Sequence, residues 1–314
     1  IAGPIIRSSE IVGQFSILNK FKNEYINRGL FFIVTGLLLK VLFADSIAPM
    51  VNDGFAIAPG KLSFFDAWTL SFAFGFQIYF DFAGYSMIAI GSAYLFGFTL
   101  PKNFLFPYMS TNIRDFWKRW HITLSSWIRD YLYIPLTSKK FSKDKSTSGI
   151  EIKDSSAFSA LLFTWAIMGL WHGASWNLLF WGLFQVLLIV TYRLFKEKTT
   201  YILPHFLSWG ITIIFTMASW VFFRTDSLSD AFGMLFIMFD IFNIQFHLNL
   251  RENFYLITFV YLAGIIFFYI VYKNYSLIRK VYFFKYLYYI YMIFSILVLM
   301  LYLKQVEQFI YFQF

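Results

Sequence analysis

The sequence contains no cysteine. That excludes disulfides, thiolate nucleophiles and cysteine-ligated metals. Charge is scarce too: Asp, Glu, Lys and Arg make up 14% of the 314 residues, against about 25% in a soluble domain. The scarcity is concentrated. From Ser155 to Val190 no acidic or basic residue occurs, and the single ionisable group in that stretch is His172. There is no Walker-type loop, no GxGxxG, no HExxH and no GxSxG. The four histidines, His121, His172, His205 and His247, are not spaced as a metal-ligand set, so no metal is expected. Repeats at a fixed period are absent, and so is a signal peptide. The chain opens on Ile1-Ala2-Gly3-Pro4 without an initiator methionine, which raises the expectation that it is the C-terminal part of a longer protein.

What is present is apolar. Hydrophobic residues account for 59% and aromatic ones for 24%, and the mean hydropathy is +0.62. The apolar runs are long and do not alternate, so the expected fold is an all-α polytopic membrane protein rather than a barrel. The net charge of +9 is no nucleic-acid signature, because the basic residues lie mainly in short loops between apolar runs. There they orient the protein and meet anionic lipid headgroups.

The longest uncharged run, Ser155–Val190, exceeds the ~20 residues of one membrane pass and is barely enough for two. Trp171-His172-Gly173-Ala174-Ser175-Trp176 lies near its middle, and Gly173 suits a break between two short helices. Irregular backbone at membrane depth survives only when packed in protein or lining a wet cavity. A titratable imidazole beside such a break is either a hydrogen-bonding group for a neighbouring helix or a site of chemistry. The uncharged surroundings favour the neutral, proton-accepting imidazole.

Elsewhere, residues 1–28 read as an entry loop with an interfacial helix, and Gly29–Ala44 as a first span whose Lys40 can snorkel. Asp45–Asp66 reads as a polar turn region. Ala67–Phe98, with Gln77, Asp81 and Gly84, is again too long for one pass and suggests two segments or one tilted, broken helix. In Asn112–Tyr133 apolar residues at 113, 116, 117, 120, 124, 127, 128 and 131 fall on one helical face, with Arg114, Lys118 and Arg129 on the adjoining arc and His121 on the boundary. That pattern fits a helix lying in the interface, a basic edge facing a polar cavity and a phosphate-bearing ligand, or both. Thr137–Ser156 reads as a solvated loop. Spans follow at 206–223, 254–272 and 282–303, with Leu228–Asp240 as a short amphipathic helix. His205 and His247 sit at a span entrance and in a polar turn, and are read as structural.

The segments GPIIR, QIYFDFAGYSMIAIG, DFWKRWHITLSSWIRDYLYIPL, GLWHGASWNLLFWG, WVFFR and FIYFQF together resemble the membrane-bound O-acyltransferase family, in its alginate and peptidoglycan O-acetylation branch. The resemblance covers nearly all of residues 1–314 as a single domain. It implies a ring of helices around a thinned centre, with interfacial and broken helices, in an inner or plasma membrane. It implies that N-terminal helices are absent from this chain and that FIYFQF is a C-terminus. His172 would be the catalytic histidine and His121 its second, with Arg114, Lys118 and Arg129 facing the phosphates of the acyl donor, acetyl-CoA. No bound cofactor is expected. The acyl group would pass to an extracytoplasmic polysaccharide hydroxyl or to a periplasmic partner protein. Relatives often carry Asp where this chain has Met87, which puts acceptor or partner contacts in question. A flippase for a lipid-linked glycan and a non-catalytic docking subunit are the rival readings.

The distribution of Lys and Arg puts the loops at 100–156, 193–203 and 273–285 on the cytoplasmic side, provided that 228–240 does not cross. Cysteines introduced singly at Lys143 and Lys280 into this cysteine-free chain should both be shielded from a membrane-impermeant thiol reagent in intact cells. Labelling at 280 but not at 143 would mean that 228–240 crosses.

Overall fold

The computed structural model describes residues 3–15, 23–137, 155–242, 244, 246–274, 284–302 and 309. Residues 138–154 of the solvated loop expected at 137–156, most of the basic turn at 273–285 and all of FIYFQF except Phe309 lie outside them, while Ser155 and Ser156, read as loop, are helical. The described residues form helices and no strand. They are α1 (Ser8–Phe15), α2 (Asn23–Leu37), a π-helical turn (Leu38–Ala44), α3 (Asp45–Phe55) and α4 (Phe64–Leu95). The short α5 (Ile113–Trp117), α6 (Ile122–Ile128), a second π-helical turn (Arg129–Tyr133) and α7 (Ile134–Leu136) follow. The rest is α8 (Ser155–His172), α9 (Trp176–Lys198), α10 (His205–Arg224), α11 (Leu228–Phe239), α12 (Glu252–Lys273) and α13 (Phe284–Tyr302). Among the described residues four stretches are long and apolar enough to cross a membrane: Asn23–Phe55, α9, α10 and α12. The protein is an all-α polytopic membrane protein.

The central element is α4. It is one unbroken helix of 32 residues, about 48 Å at 1.5 Å per residue, which corrects the expectation of two segments or a broken helix. At that length it fits a ~30 Å hydrocarbon layer only by tilting or by extending past it. Its start is a capping box in which Ser63 Oγ accepts from the Asp66 N–H and Asp66 Oδ2 accepts from the Ser63 N–H. It stops at Gly97, with φ +82°, where the Gly97 and Phe98 N–H groups close back on the Tyr94 and Ala93 carbonyls.

The α2 helix packs antiparallel to α4 through two glycine pairs seven residues apart. A Cβ on Gly36 would lie 2.6 Å from the Gly84 carbonyl oxygen, and one on Gly91 equally 2.6 Å from that of Gly29. Backbones that close leave no room for a side chain, a familiar mode of helix contact in membranes.

Two sequence expectations about this region are corrected. Asp45–Phe55 is helical with Pro49 inside it, not a polar turn; Ile47, Ala48 and Val51 are buried, and Asp45 is drawn in by an ion pair. Lys40 does not snorkel. It is 2% exposed, and its Nζ lies 2.7 Å from Asp81 Oδ1 and 2.8 Å from Asp45 Oδ1. The ring of Phe309 covers the ammonium at 4.6 Å. Asp81 is thereby tied to the neighbouring helix, 41 positions away in sequence.

The α8 and α9 helices form a tight hairpin broken after His172, as expected. A Cβ on Gly169 would collide with the Leu178 carbonyl, and one on Gly182 with that of Trp165. The second helix starts on Ser175, whose Oγ accepts from the Leu178 N–H at 3.3 Å. At 12 residues, α11 measures about 18 Å, short of the hydrocarbon thickness.

Removing one partner from a buried ion pair leaves an uncompensated charge and typically costs about 3–5 kcal/mol. Lys40→Met should therefore lower thermal stability in detergent sharply, and the triple variant with Asp81→Leu and Asp45→Asn, which leaves neither carboxylate uncompensated, should recover much of the loss. A Lys40→Met protein as stable as the parent would show that the pair does not hold α2 against α4.

Candidate active site at two buried imidazoles

His172 ends α8 at the hairpin break and is 6% exposed. Three aromatic rings meet its imidazole at steep angles, with centroids at 4.9 Å for Trp171, 5.3 Å for Trp181 and 5.1 Å for Phe223. From Trp181 the packing continues to Trp220 at 6.2 Å, on to Trp120 at 4.9 Å and then to Phe104 at 5.1 Å. Phe104 lies 6.4 Å from the ring of His121, and Phe82 of α4 meets that ring edge-on at 4.6 Å. The two histidines thus stand along one wall of Trp and Phe.

His121 corrects the sequence reading of its segment. The apolar period across 113–131 does not belong to one helix: α5 ends at Trp117, and His121 adopts the left-handed conformation, φ 40° and ψ 55°, before α6 begins. That conformation costs a non-glycine residue about 1–3 kcal/mol and persists only when its surroundings over-determine it. Here the turn carries His121 off the boundary of an amphipathic face and into the interior, where it is 1% exposed. Ile113, Phe116, Trp117, Trp120, Leu124 and Ile128 are buried as their period suggests, while Trp127 and Tyr131 remain exposed.

The surroundings that hold the turn centre on Asn103, which sequence reasoning missed. Its carbonyl accepts from the Ile122 N–H at 2.9 Å. Its buried side chain touches Ser86 of α4 at 3.0 Å, Thr123 Oγ1 at 2.8 Å and His121 Nδ1 at 3.0 Å. The one available signal was a short amide residue just after Pro101, in a segment too irregular to show a period.

The N-terminal segment is strapped to the same motif. The Ile5 N–H donates to Thr123 Oγ1 at 2.9 Å, and Arg7 Nη2 meets Asp130 Oδ2 at 2.6 Å. Of the three basic residues singled out from the sequence, Arg114 is half-buried on α5, and Lys118 and Arg129 are exposed. Arg129 Nε is engaged by Asp130 Oδ1 at 2.7 Å. The structure gathers the two histidines in the interior and leaves these three toward the surface of the same segment. It adds a fourth base. Arg193 of α9 is half-buried beside Tyr133 and Arg114.

The membrane-bound O-acyltransferase family model matches residues 1–223. The chain belongs to that family. Over 243 residues, 75% of the chain, it is 40% identical to the peptidoglycan O-acetyltransferase of Helicobacter pylori, covering 43% of that protein. It is 34% identical over 239 residues, 76% of the chain, to a protein of Azotobacter vinelandii named "Probable alginate O-acetylase", covering 45% of it. A teichoic acid D-alanyltransferase of Bacillus subtilis is 38% identical over 134 residues, 41% of the chain and 32% of that protein. The chain spans less than half the length of these relatives. The stretch matched by the family model contains both imidazoles and the whole aromatic wall between them, ending on Phe223.

Burial pushes the Asp130 carboxyl up, but Arg129 and then Arg7 outweigh it, so it lies below the ordinary carboxylate range. A depressed carboxylate contributes stability that is present above its unfolded pKa and lost as pH falls through its folded one. The strap between Arg7 and Asp130 should therefore hold at neutral pH and loosen only in acid, below pH ~4. Protease or thiol-reagent access at a cysteine placed at Ile5 reads this: access should rise in acid for the parent, and at neutral pH for Asp130→Asn. Equal access in both proteins at pH 7 would remove the strap.

Proposed function

We propose that the protein transfers an acetyl or other small acyl group from a cytoplasmic thioester, acetyl-CoA, to a hydroxyl outside, on a cell-envelope polysaccharide or on a periplasmic partner protein that completes the transfer. The observation that carries this reading is the pair of imidazoles buried along one aromatic wall, the first of them at a helix break. A buried neutral imidazole is the side chain best suited to take a proton from a hydroxyl near neutral pH. In the proposed step His172 removes the acceptor's hydroxyl proton as its oxygen attacks the thioester carbonyl. The carbon–sulfur bond then breaks, and the proton passes to the departing thiolate. Packed Trp and Phe keep bulk water from competing for the thioester.

Arg193 and Arg114 support a phosphate-bearing donor, because two neighbouring guanidinium groups favour a polar anion and the guanidinium fork matches phosphate. Lys118 and Arg129, exposed on the same segment, add positive charge along its approach. The Helicobacter pylori and Azotobacter vinelandii relatives, by their names, act on peptidoglycan and alginate, which supports a polysaccharide acceptor.

The deciding assay is acyl transfer from a labelled thioester in membranes with matched protein levels. A positioned base typically contributes ~10²–10⁴-fold, so His172→Ala should lower transfer by at least that order while the protein still inserts and binds donor. His121→Ala should raise KM for the donor or lower turnover, according to whether the ring acts in the ground state or the transition state. Near-normal transfer by His172→Ala would end the catalytic assignment and favour a conduit instead.

A further inference from the structure

The polarity of the Asn103 contacts settles more than the position of the turn. The amide is 1% exposed. Its Nδ2 donates to Ser86 Oγ at 3.0 Å, while its Oδ1 accepts from the Thr123 backbone N–H at 3.3 Å and from the Thr123 hydroxyl at 2.8 Å. A backbone N–H only donates, so the amide atom facing Thr123 is its oxygen. The same oxygen stands 3.0 Å from His121 Nδ1. A carbonyl oxygen only accepts, so this hydrogen bond requires the proton on Nδ1. In a neutral imidazole the lone pair then belongs to Nε2.

We propose that Asn103 is a positioning residue that fixes His121 as the Nδ1–H tautomer and so presents Nε2 to the reacting groups as a proton-accepting atom. The partner of Nδ1 sets which ring nitrogen reacts, as in other histidine sites. The amide's neutrality matters as much as its oxygen. A carboxylate in the same place would fix the same tautomer but would also stabilise the imidazolium, removing the lone pair. The elements packed on His121 are neutral in the same sense: α4 offers Phe82, and the 103–104 segment offers the amide and Phe104. His172 of α8 stands further along the same aromatic wall. This assigns the role of His121 to turnover rather than to donor affinity.

The chemical consequence rests on the acyl-transfer reading; the tautomer itself does not, and the experiment separates the two. Nitrogen-15 spectra of the histidine-labelled protein in lipid nanodiscs, with the His121 signals assigned by their loss in His121→Gln, should show a protonated Nδ1 and a bare Nε2. A protonated Nε2, or rapid exchange between the two forms, overturns the proposal whatever the activity. Asn103→Leu should lose the bias and reduce kcat by about tenfold or more, within the ~10²–10⁴ that a positioned base supplies, with donor KM unchanged. Asn103→Asp should retain the Nδ1 proton yet move the acid limb of the kcat profile to higher pH. An Asn103→Asp protein with an unmoved profile, or an Asn103→Leu protein that keeps tautomer and kcat and loses only thermal stability, reduces Asn103 to a structural role. If the parent transfers no acyl group, or His172→Ala transfers normally, the acyl-transfer reading fails while the spectra still decide the tautomer.

Discussion

Within an apolar interior every polar group must find its partner inside the protein, because an unsatisfied one costs several kcal/mol. Much of this structure follows from that requirement. Where the backbone stays helical the requirement meets itself, and α4 can run 32 residues without a break. Where the backbone departs from a helix, a side chain takes over. Ser63 and Asp66 start α4, Ser175 restarts the chain after the gap at Gly173, and Asn103 holds the turn at His121. The two departures in the middle of the protein are the two places where an imidazole is brought inside.

Charge obeys the same rule with larger stakes. Lys40, in the π-helical turn, pairs with Asp81 on the neighbouring helix and with Asp45 at the start of α3. The glycine pairs at 29–91 and 36–84 bring α2 and α4 close on the same interface. Close backbone approach and a shared charge are complementary, since the first fixes the distance that the second needs. The pair gains less from its attraction than it would lose by being broken, and it therefore acts as a lock on the register of the two helices.

The parts of this arrangement that sequence could reveal are those whose cause is local. The break at Gly173 was legible because a glycine beside small residues interrupts an uncharged run on its own. The spans at α10 and α12 were legible because length and composition decide them. Lys40 was misread because its partner lies 41 positions away, and a lone lysine near a span end looks the same whether it snorkels or pairs. The segment around His121 was misread for a subtler reason. Its apolar residues are buried as a helical period predicts, so the period survives although the helix does not. A left-handed residue redirects the chain by a turn without disturbing which residues are apolar. Asn103 carried no signal, since a single amide outside any period reveals its role only once Ser86, Thr123 and His121 are brought around it.

The two imidazoles are held in opposite ways, and this bears on how such a site could work. His172 closes a helix, and its ring is fixed by aromatic packing on three sides. Packing restrains a ring's orientation but has no preference between its nitrogens. His121 is fixed by a hydrogen bond that discriminates between them, on a backbone whose left-handed conformation costs about 1–3 kcal/mol. Against that cost stand the Asn103 carbonyl on Ile122, its side chain on Thr123, and the Ile5 N–H on the Thr123 hydroxyl. Net contributions near 1 kcal/mol apiece are enough to offset it. The strap from the N-terminal segment is therefore part of the same balance, although it touches neither imidazole. The hydrogen bond at Asn103 gives the His121 ring a fixed polarity, and a proton moving through the site meets an asymmetry that composition alone could not supply.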